Sequence, residues 1–325
     1  MKEIEEGIYR IALPTPIPDI KETYSYLLIG ENGNILVDAG WRSQESLNNL
    51  KENMLKIGSK IESIKEVIIT HLHVDHYGLA QEIKEISGAN IIVHKKEIES
   101  INTLKSKEYR KDLNKSGLNE IDIKQSIKMI DLMEKDIPRN FDQILQGNEE
   151  IKTKNNLFEI ILTPGHTPGH ICLYDKKKKI MISGDHILNN STPNIPYYPI
   201  EENYNPLNDY LESLKSISKL EIKKMLPAHN ETFSNVQNRI EQIIKHHSER
   251  LEDVINALDY ESKNIQEIAI EISWTKRKWN NLDSINKFFA ILETISHLEF
   301  LRLNNKIQKD FKNERWEYAL IKKDR

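Results

Sequence analysis

Val67-Ile68-Ile69-Thr70-His71-Leu72-His73-Val74-Asp75-His76 joins a short apolar, β-branched run directly to four potential metal ligands. A strand aims alternate side chains the same way, so His71 and His73 can share one ion, while the turn beyond them can direct Asp75 and His76 at a neighbouring one. With 11 histidines in 325 residues, so dense a group is not expected by chance. Three other segments, Pro164-Gly165-His166, Ser183-Gly184-Asp185 and Leu226-Pro227-Ala228-His229, each set a His or Asp at the end of a predicted strand. The single cysteine, Cys172, excludes both an internal disulfide and a cysteine-based metal site, so a metal must be held by imidazole and carboxylate. Lying within an apolar run, Cys172 itself reads as a small core residue.

Outward from this stretch, short β-prone runs (7–11, 24–29, 35–37, 67–69, 91–93) alternate with helix-length segments, one capped by Ser43 and running to about Ile57, another from Tyr77 to Ile86. Strands alternating with helices predict an α/β layered fold. Residues 95–135 are charged, free of proline and apolar at helical intervals (Ile123, Ile127, Ile130, Met133), and read as inserted helices that can form a lid. Strand-like runs resume at 159–162, 171–174 and 180–183. Beyond His229 the pattern is almost wholly helical until a terminal hairpin over 307–321 that turns near Lys312-Asn313-Glu314. Helices followed by a β-ribbon suggest a winged helix-turn-helix. The expected division is therefore a catalytic domain over 1–235 and a helical, winged-helix-like domain over 236–325.

The His-x-His-x-Asp-His run, followed by separated His166, Asp185 and His229, resembles the hallmark of the metallo-β-lactamase superfamily, over roughly residues 5 to 235. That resemblance implies a four-layer αββα sandwich. It also implies two divalent metal ions: His71, His73 and His166 on the first, Asp75, His76 and His229 on the second, Asp185 bridging both. Zinc is the default for such ligands, and iron or manganese accept the same set. Two cations so held lower the pKa of a shared water and produce a bridging hydroxide, the expected nucleophile of a hydrolase. Asp75 is the candidate catalytic residue that orients it and assists proton transfer. Asp38, at the end of the 35–37 run, and His170 are expected to support ligand-bearing loops without binding metal. His94 and His186 are expected not to be ligands, and His246, His247 and His297 to be surface or interface residues. Tyr197 and Tyr198 are candidates for the substrate pocket.

Composition narrows the class further. Mean hydropathy is −0.58 and no long apolar run exists, which argues against membrane spans. The start Met1-Lys2-Glu3-Ile4-Glu5-Glu6 is unlike a secretory signal, so a cytoplasmic protein is expected. Net charge is −4, and residues 241–325 carry 15 basic and 15 acidic side chains, so nucleic acid is not the favoured partner. The C-terminal region is expected to pack on the core or to build a homodimer. A complete two-metal set argues against the one-iron persulfide dioxygenases, and Asp185 in place of Cys against the commonest zinc β-lactamases. Segments 246–251 and 290–301 resemble the winged-helix tail of lactamase-like hydrolases. The leading expectation is hydrolysis of a thioester or ester of a small acyl compound. Alternatives are an endoribonuclease acting on single-stranded RNA, and a lactonase or β-lactamase-like hydrolase.

Overall fold

Residues that alternate between two apolar faces build the first sheet of the computed structural model, which describes residues 1–17, 20–107, 109, 111, 114–274 and 279–321. Strands β1 (Lys2–Glu5), β2 (Ile8–Pro14), β3 (Glu22–Leu28) and β4 (Asn34–Val37) run antiparallel to one another. Helix α1 (Gln44–Lys56) follows; the Ser43 side chain caps it by accepting the Ser46 N–H. Strand β5 (Ile64–Ile68) is parallel to β4. The short α2 (Val74–Tyr77) and α3 (Ala80–Ser87) lead to β6 (Asn90–His94), parallel to β5.

The sequence expectation of one helix from Tyr77 to Ile86 is corrected here. The chain breaks at Gly78 and Leu79, where the backbone of Gly40 to Arg42 approaches: a Cβ on Gly78 would lie 2.5 Å from the Arg42 nitrogen and 2.7 Å from the Gly40 oxygen. Leu79 then donates its N–H to Gly40 instead of continuing the helix.

Helices α4 (Lys95–Lys105) and α5 (Glu120–Lys135) lie in the crossover from β6 to β7 (Gln143–Leu145), the seventh strand of the sheet, again parallel. A parallel pair requires such a crossover, so the insertion has a topological role. It is a packed wall more than a lid. Ile123 and Ile130 are buried against the C-terminal helices, and Asp122 accepts hydrogen bonds from Asn119 and Ser284. The side chain of Met133, part of the expected apolar stripe, lies outside the described residues.

The second sheet comprises β8 (Glu150–Lys152), β9 (Leu157–Leu162), β10 (Ile171–Asp175), β11 (Ile180–Gly184) and, after α6 (Pro206–Ile217), β12 (Lys224–Pro227), in the order β12-β11-β10-β9-β8. Only β11 and β12 pair in parallel, with α6 as their crossover. Tyr26, Val37, Ile68 and Ile92 of the first sheet meet Phe158, Ile160, Ile171 and Leu173 of the second. On the outer faces, Leu36, Val67 and Ile91 pack on α1 and α3, while Cys172 and Met181 pack on Leu207, Tyr210 and Leu214 of α6. The result is the four-layer αββα sandwich expected.

Helix α7 (Val236–Ala257) begins on that sandwich through Val236, Ile240 and Ile243 and ends in another core through Val254 and Ala257. That core also draws on α8 (Ile265–Glu271), after the two-residue β13 (Lys263–Asn264), on α9 (Ser284–Leu303), and on the hairpin of β14 (Ile307–Lys312) and β15 (Arg315–Leu320). Trp274 and Trp279 are buried in it. Asn313 and Glu314 both have positive φ, 50° and 62°, as a two-residue turn matching the strand twist requires. No helix among the described residues is long and apolar enough to cross a membrane.

Candidate metal centre

Every candidate ligand follows the end of a sandwich strand: His71 and His73 follow β5, His166 follows β9, Asp185 follows β11 and His229 follows β12. His73 occupies the position before α2, so Asp75 and His76 fall on its single turn and are carried back toward the strand ends. Gly184 has φ +47°, and a Cβ there would sit 2.8 Å from both His170 Nε2 and Thr70 Oγ1. The absence of a side chain thus lets Asp185 approach the His71 loop closely.

Two groups form. In the first, Nε2 of His71 and Nε2 of His166 each lie 3.0 Å from Nδ1 of His73. The outer nitrogens account for the ring protons. His166 Nδ1–H donates to the Asn194 carbonyl at 2.7 Å, His71 Nδ1–H to Thr70 Oγ1 at 3.1 Å, and His73 Nε2–H to the Tyr198 hydroxyl at 3.4 Å. Each neutral imidazole has only one N–H. Three bare lone pairs therefore converge on one point, an arrangement that a cation satisfies and hydrogen bonding cannot. Tetrahedral nitrogen ligands about 2.0–2.1 Å from zinc would stand roughly 3.3 Å apart, close to what is seen.

In the second group, His229 Nε2 is 3.2 Å from Asp75 Oδ2 and 3.4 Å from Asp185 Oδ1, and His76 Nε2 is 3.6 Å from an oxygen of each carboxylate. Here too the outer nitrogens are held: His76 Nδ1–H by Asp38 Oδ2 at 2.8 Å, His229 Nδ1–H by the Glu22 carbonyl at 3.2 Å. Asp185 also lies 3.7 Å from His166 Nε2, so its carboxylate stands between the groups. His76 Nε2, His229 Nε2 and Asp185 Oδ1 are buried without a good hydrogen bond, as orphaned atoms aimed at an ion position are. The residues present thus fit two divalent cations.

The groups differ electrically. Burial pushes His71, His73 and His166 down, His73 to about 3, so all three are neutral. Burial opposes charge on His76 and His229 as well, but the surrounding carboxylates outweigh it. Asp75, Asp38 and Asp185 hold His76 well above the ordinary imidazole value, and Asp185 and Asp75 push His229 up to about 10. In return His76 and His229 hold Asp75 and Asp185 low against their own burial.

Supporting residues complete the frame. Asp38, itself at φ 59°, accepts the Thr70 N–H at 2.8 Å and the Thr70 hydroxyl at 2.9 Å besides the His76 ring. His170 uses both nitrogens within the fold: Nε2 accepts the Asp185 N–H at 3.1 Å and Nδ1–H donates to Thr163 Oγ1 at 2.9 Å. Thr23 donates to Asp75 Oδ2 at 3.0 Å. The sequence reading missed Glu97, which is fully buried and accepts the N–H of Leu72 at 2.7 Å and of Gly169 at 2.6 Å, tying the two histidine loops together. Nothing in the charged 95–135 pattern distinguishes it. His94 accepts the Lys96 N–H as the cap of α4, and His186 is buried beside Tyr210 and His170. The burial of Cys172 pushes its thiol up to about 12 and leaves it a core residue.

Of the histidines expected at the surface or an interface, His247 and His297 are not at the surface: both are wholly buried between α7 and α9 and lie 3.3 Å apart. Ligand atoms of His246, His247 and Glu293 also come close together, but the Arg250 guanidinium acts on all three and opposes a cation there. Of the two tyrosine candidates, Tyr198 is buried and lines a narrow apolar slot with Leu72, Ile101, Leu104, Ile130, Phe288 and Leu292, with a cavity volume of about 30 Å³. Tyr197 instead borders an outer groove beside Arg302, Lys309 and Trp316. Two residues of the slot wall adjoin the first group: Leu72, between His71 and His73 in the chain, and Tyr198, whose hydroxyl lies 3.4 Å from His73 Nε2.

Residues 19–229 match the family model of the metallo-beta-lactamase superfamily, and the chain belongs to that superfamily as a metallo-hydrolase. A Bacillus subtilis (strain 168) protein called "Probable metallo-hydrolase YqjP" is 26% identical over 314 residues, spanning 93% of this chain and 94% of its own. "Hydroxyacylglutathione hydrolase GloC" of Haemophilus influenzae is 28% identical over 170 residues, 52% of this chain and 68% of its own. A crystal structure of a beta-lactamase domain protein from Burkholderia ambifaria superposes with a TM-score of 0.86 at 24% identity, over 98% of this chain and 94% of that one, and so shares the fold.

Proposed function

We propose that the protein hydrolyses a thioester or ester whose acyl group is small and apolar. The observation that carries this reading is the slot beside His73: among the described residues, none that line it is charged, so it offers apolar surface to an acyl chain and no cation to a phosphodiester backbone. A glutathione thioester hydrolase among the relatives supports the same bond type.

His71, His73 and His166 would hold one divalent cation and Asp75, His76 and His229 the other, with Asp185 between them. When bound, such ions supply an activated water at neutral pH and stabilise negative charge developing on a carbonyl oxygen. The chain's own residues do the rest. Asp75, fixed by the Thr23 hydroxyl, orients the attacking water and receives its proton. Tyr198 accepts the His73 N–H and remains protonated, because burial raises its hydroxyl pKa; its O–H is left to donate to a substrate carbonyl at the slot mouth. Leu72 and Leu292 exclude water from the acyl side.

The test is metal-dependent release of free thiol from a panel of acyl-CoA and acyl-glutathione substrates, with His71→Ala as control. Turnover that fails in the variant is expected. Absence of release by protein carrying its full metal complement would sink the reading, and single-stranded RNA would be the next substrate tried.

A further inference from the structure

The 21 residues between β11 and α6, 185–205, contain no helix or strand, yet they carry Asp185, Asn194 and Tyr198. A loop of this length inside a packed domain needs outside anchors. Arg239 of α7 supplies one set, donating to the carbonyls of Leu188 at 2.7 Å and Ser191 at 2.8 Å. The other set comes from α9: Tyr197 donates its N–H to the Leu292 carbonyl at 3.2 Å, and the Asn194 side-chain amide donates to the Glu293 carboxyl. Asn194 Oδ1 is buried and has no partner of its own. The amide is therefore held from its NH₂ side alone, with the Phe289 carbonyl at 3.5 Å as a weaker second acceptor.

The backbone carbonyl of the same Asn194 accepts the His166 Nδ1–H at 2.7 Å. It is that bond which assigns the proton to Nδ1 and leaves Nε2 bare toward His73. We propose that Glu293, on a helix outside the sandwich, is a positioning residue for the first metal group: through Asn194 it fixes the ring orientation and tautomer of His166. The relay runs Glu293 to Asn194 to His166. In the same stretch of α9, Phe288, Phe289 and Leu292 line the slot, so one helix sets both the ligand loop and the slot wall. The inference rests on the reading of His71, His73 and His166 as a cation site, and is independent of the substrate.

The experiment is a metal titration of the metal-depleted full-length protein against a chromophoric chelator, using zinc, with the cobalt(II) visible spectrum as a second readout. Glu293→Met fills the buried volume and removes the acceptor; Glu293→Gln keeps an acceptor oxygen. Glu293→Met is expected to weaken one of the two zinc sites by about 10–100-fold and to alter the cobalt ligand-field bands, with the other site unchanged and Glu293→Gln within a fewfold of wild type. Asn194→Ala is expected to give the same loss, and the double variant no further loss, since both cut one tether. A folded Glu293→Met protein with wild-type affinity at both sites overturns the proposal. So does an equal loss in Glu293→Gln, which would trace the effect to charge. If Glu293→Met does not fold, Asn194→Ala decides alone, and unchanged affinity there overturns the proposal. A wild-type protein that binds no metal would instead overturn the cation-site reading itself.

Discussion

At the scale of single residues, the pattern in the candidate centre is that each imidazole uses its outer nitrogen to hold itself in place and presents the inner one. Asp38 shows how much rests on such a partner. Its carboxylate receives the His76 ring, the Thr70 N–H and the Thr70 hydroxyl, and its backbone sits at φ 59°, a conformation that Asp and Asn tolerate and that costs other residues about 1–2 kcal/mol. Asp38→Asn keeps the backbone and one acceptor oxygen, so a zinc titration is expected to show a loss of roughly tenfold with a small change in melting temperature. Asp38→Ala is expected to lower both strongly; full zinc affinity in the alanine variant would reduce Asp38 to a turn former. Asp75→Ala is expected to lose most of the turnover, and normal turnover at full metal content would refute its role. The sequence made Asp38 legible because it ends an apolar run. Glu97 and Glu293 were not legible, because burial of one carboxylate in an otherwise solvated charged or helical stretch depends on donors that arrive from distant loops: backbone N–H groups for Glu97 and the Asn194 side-chain amide for Glu293.

Elements were legible where periodicity had room to show itself. The 13 residues of α1, the 22 of α7 and the hairpin at Asn313-Glu314 fall where apolar spacing and turn residues put them. Strands β7 and β8, with three residues each, carry too few alternations to be read, although β7 closes the first sheet. The break at Gly78 depends on contact with the Gly40 segment, which a lone glycine in a helical pattern does not by itself announce. The consequence for function lies in α9, whose periodicity announced a helix but not that Phe288 and Leu292 face the slot. Leu292→Trp adds bulk to that wall, so it is expected to lower kcat/KM for longer acyl chains at least tenfold while sparing acetyl substrates; Leu292→Ala should shift preference the other way. Equal effects on short and long acyl chains would remove the slot from the substrate's path.

At the scale of the whole molecule, α7 belongs to two cores at once, and α9 joins the second core to the loop that carries Asn194. Glu293 lies in this joint, and its titration reports on the joint. Burial pushes its carboxyl up to about 7 from an ordinary 4.5, although Arg250 and Asn194 favour the charged form. Below about pH 4.5 the carboxyl is protonated folded or unfolded, and the joint bears no penalty. Between there and pH 7 the unfolded chain releases the proton while the folded one retains it, so stability falls as pH rises. Above pH 7 the buried charge is present in full, at a cost on the order of 3 kcal/mol at most. Glu293→Gln removes the charge and keeps the acceptor for Asn194. Its urea midpoint is therefore expected to equal that of wild type near pH 4.5 and to exceed it at pH 8. If the gap between the two proteins is the same at both pH values, Glu293 does not carry that penalty, and the joint owes nothing to its protonation.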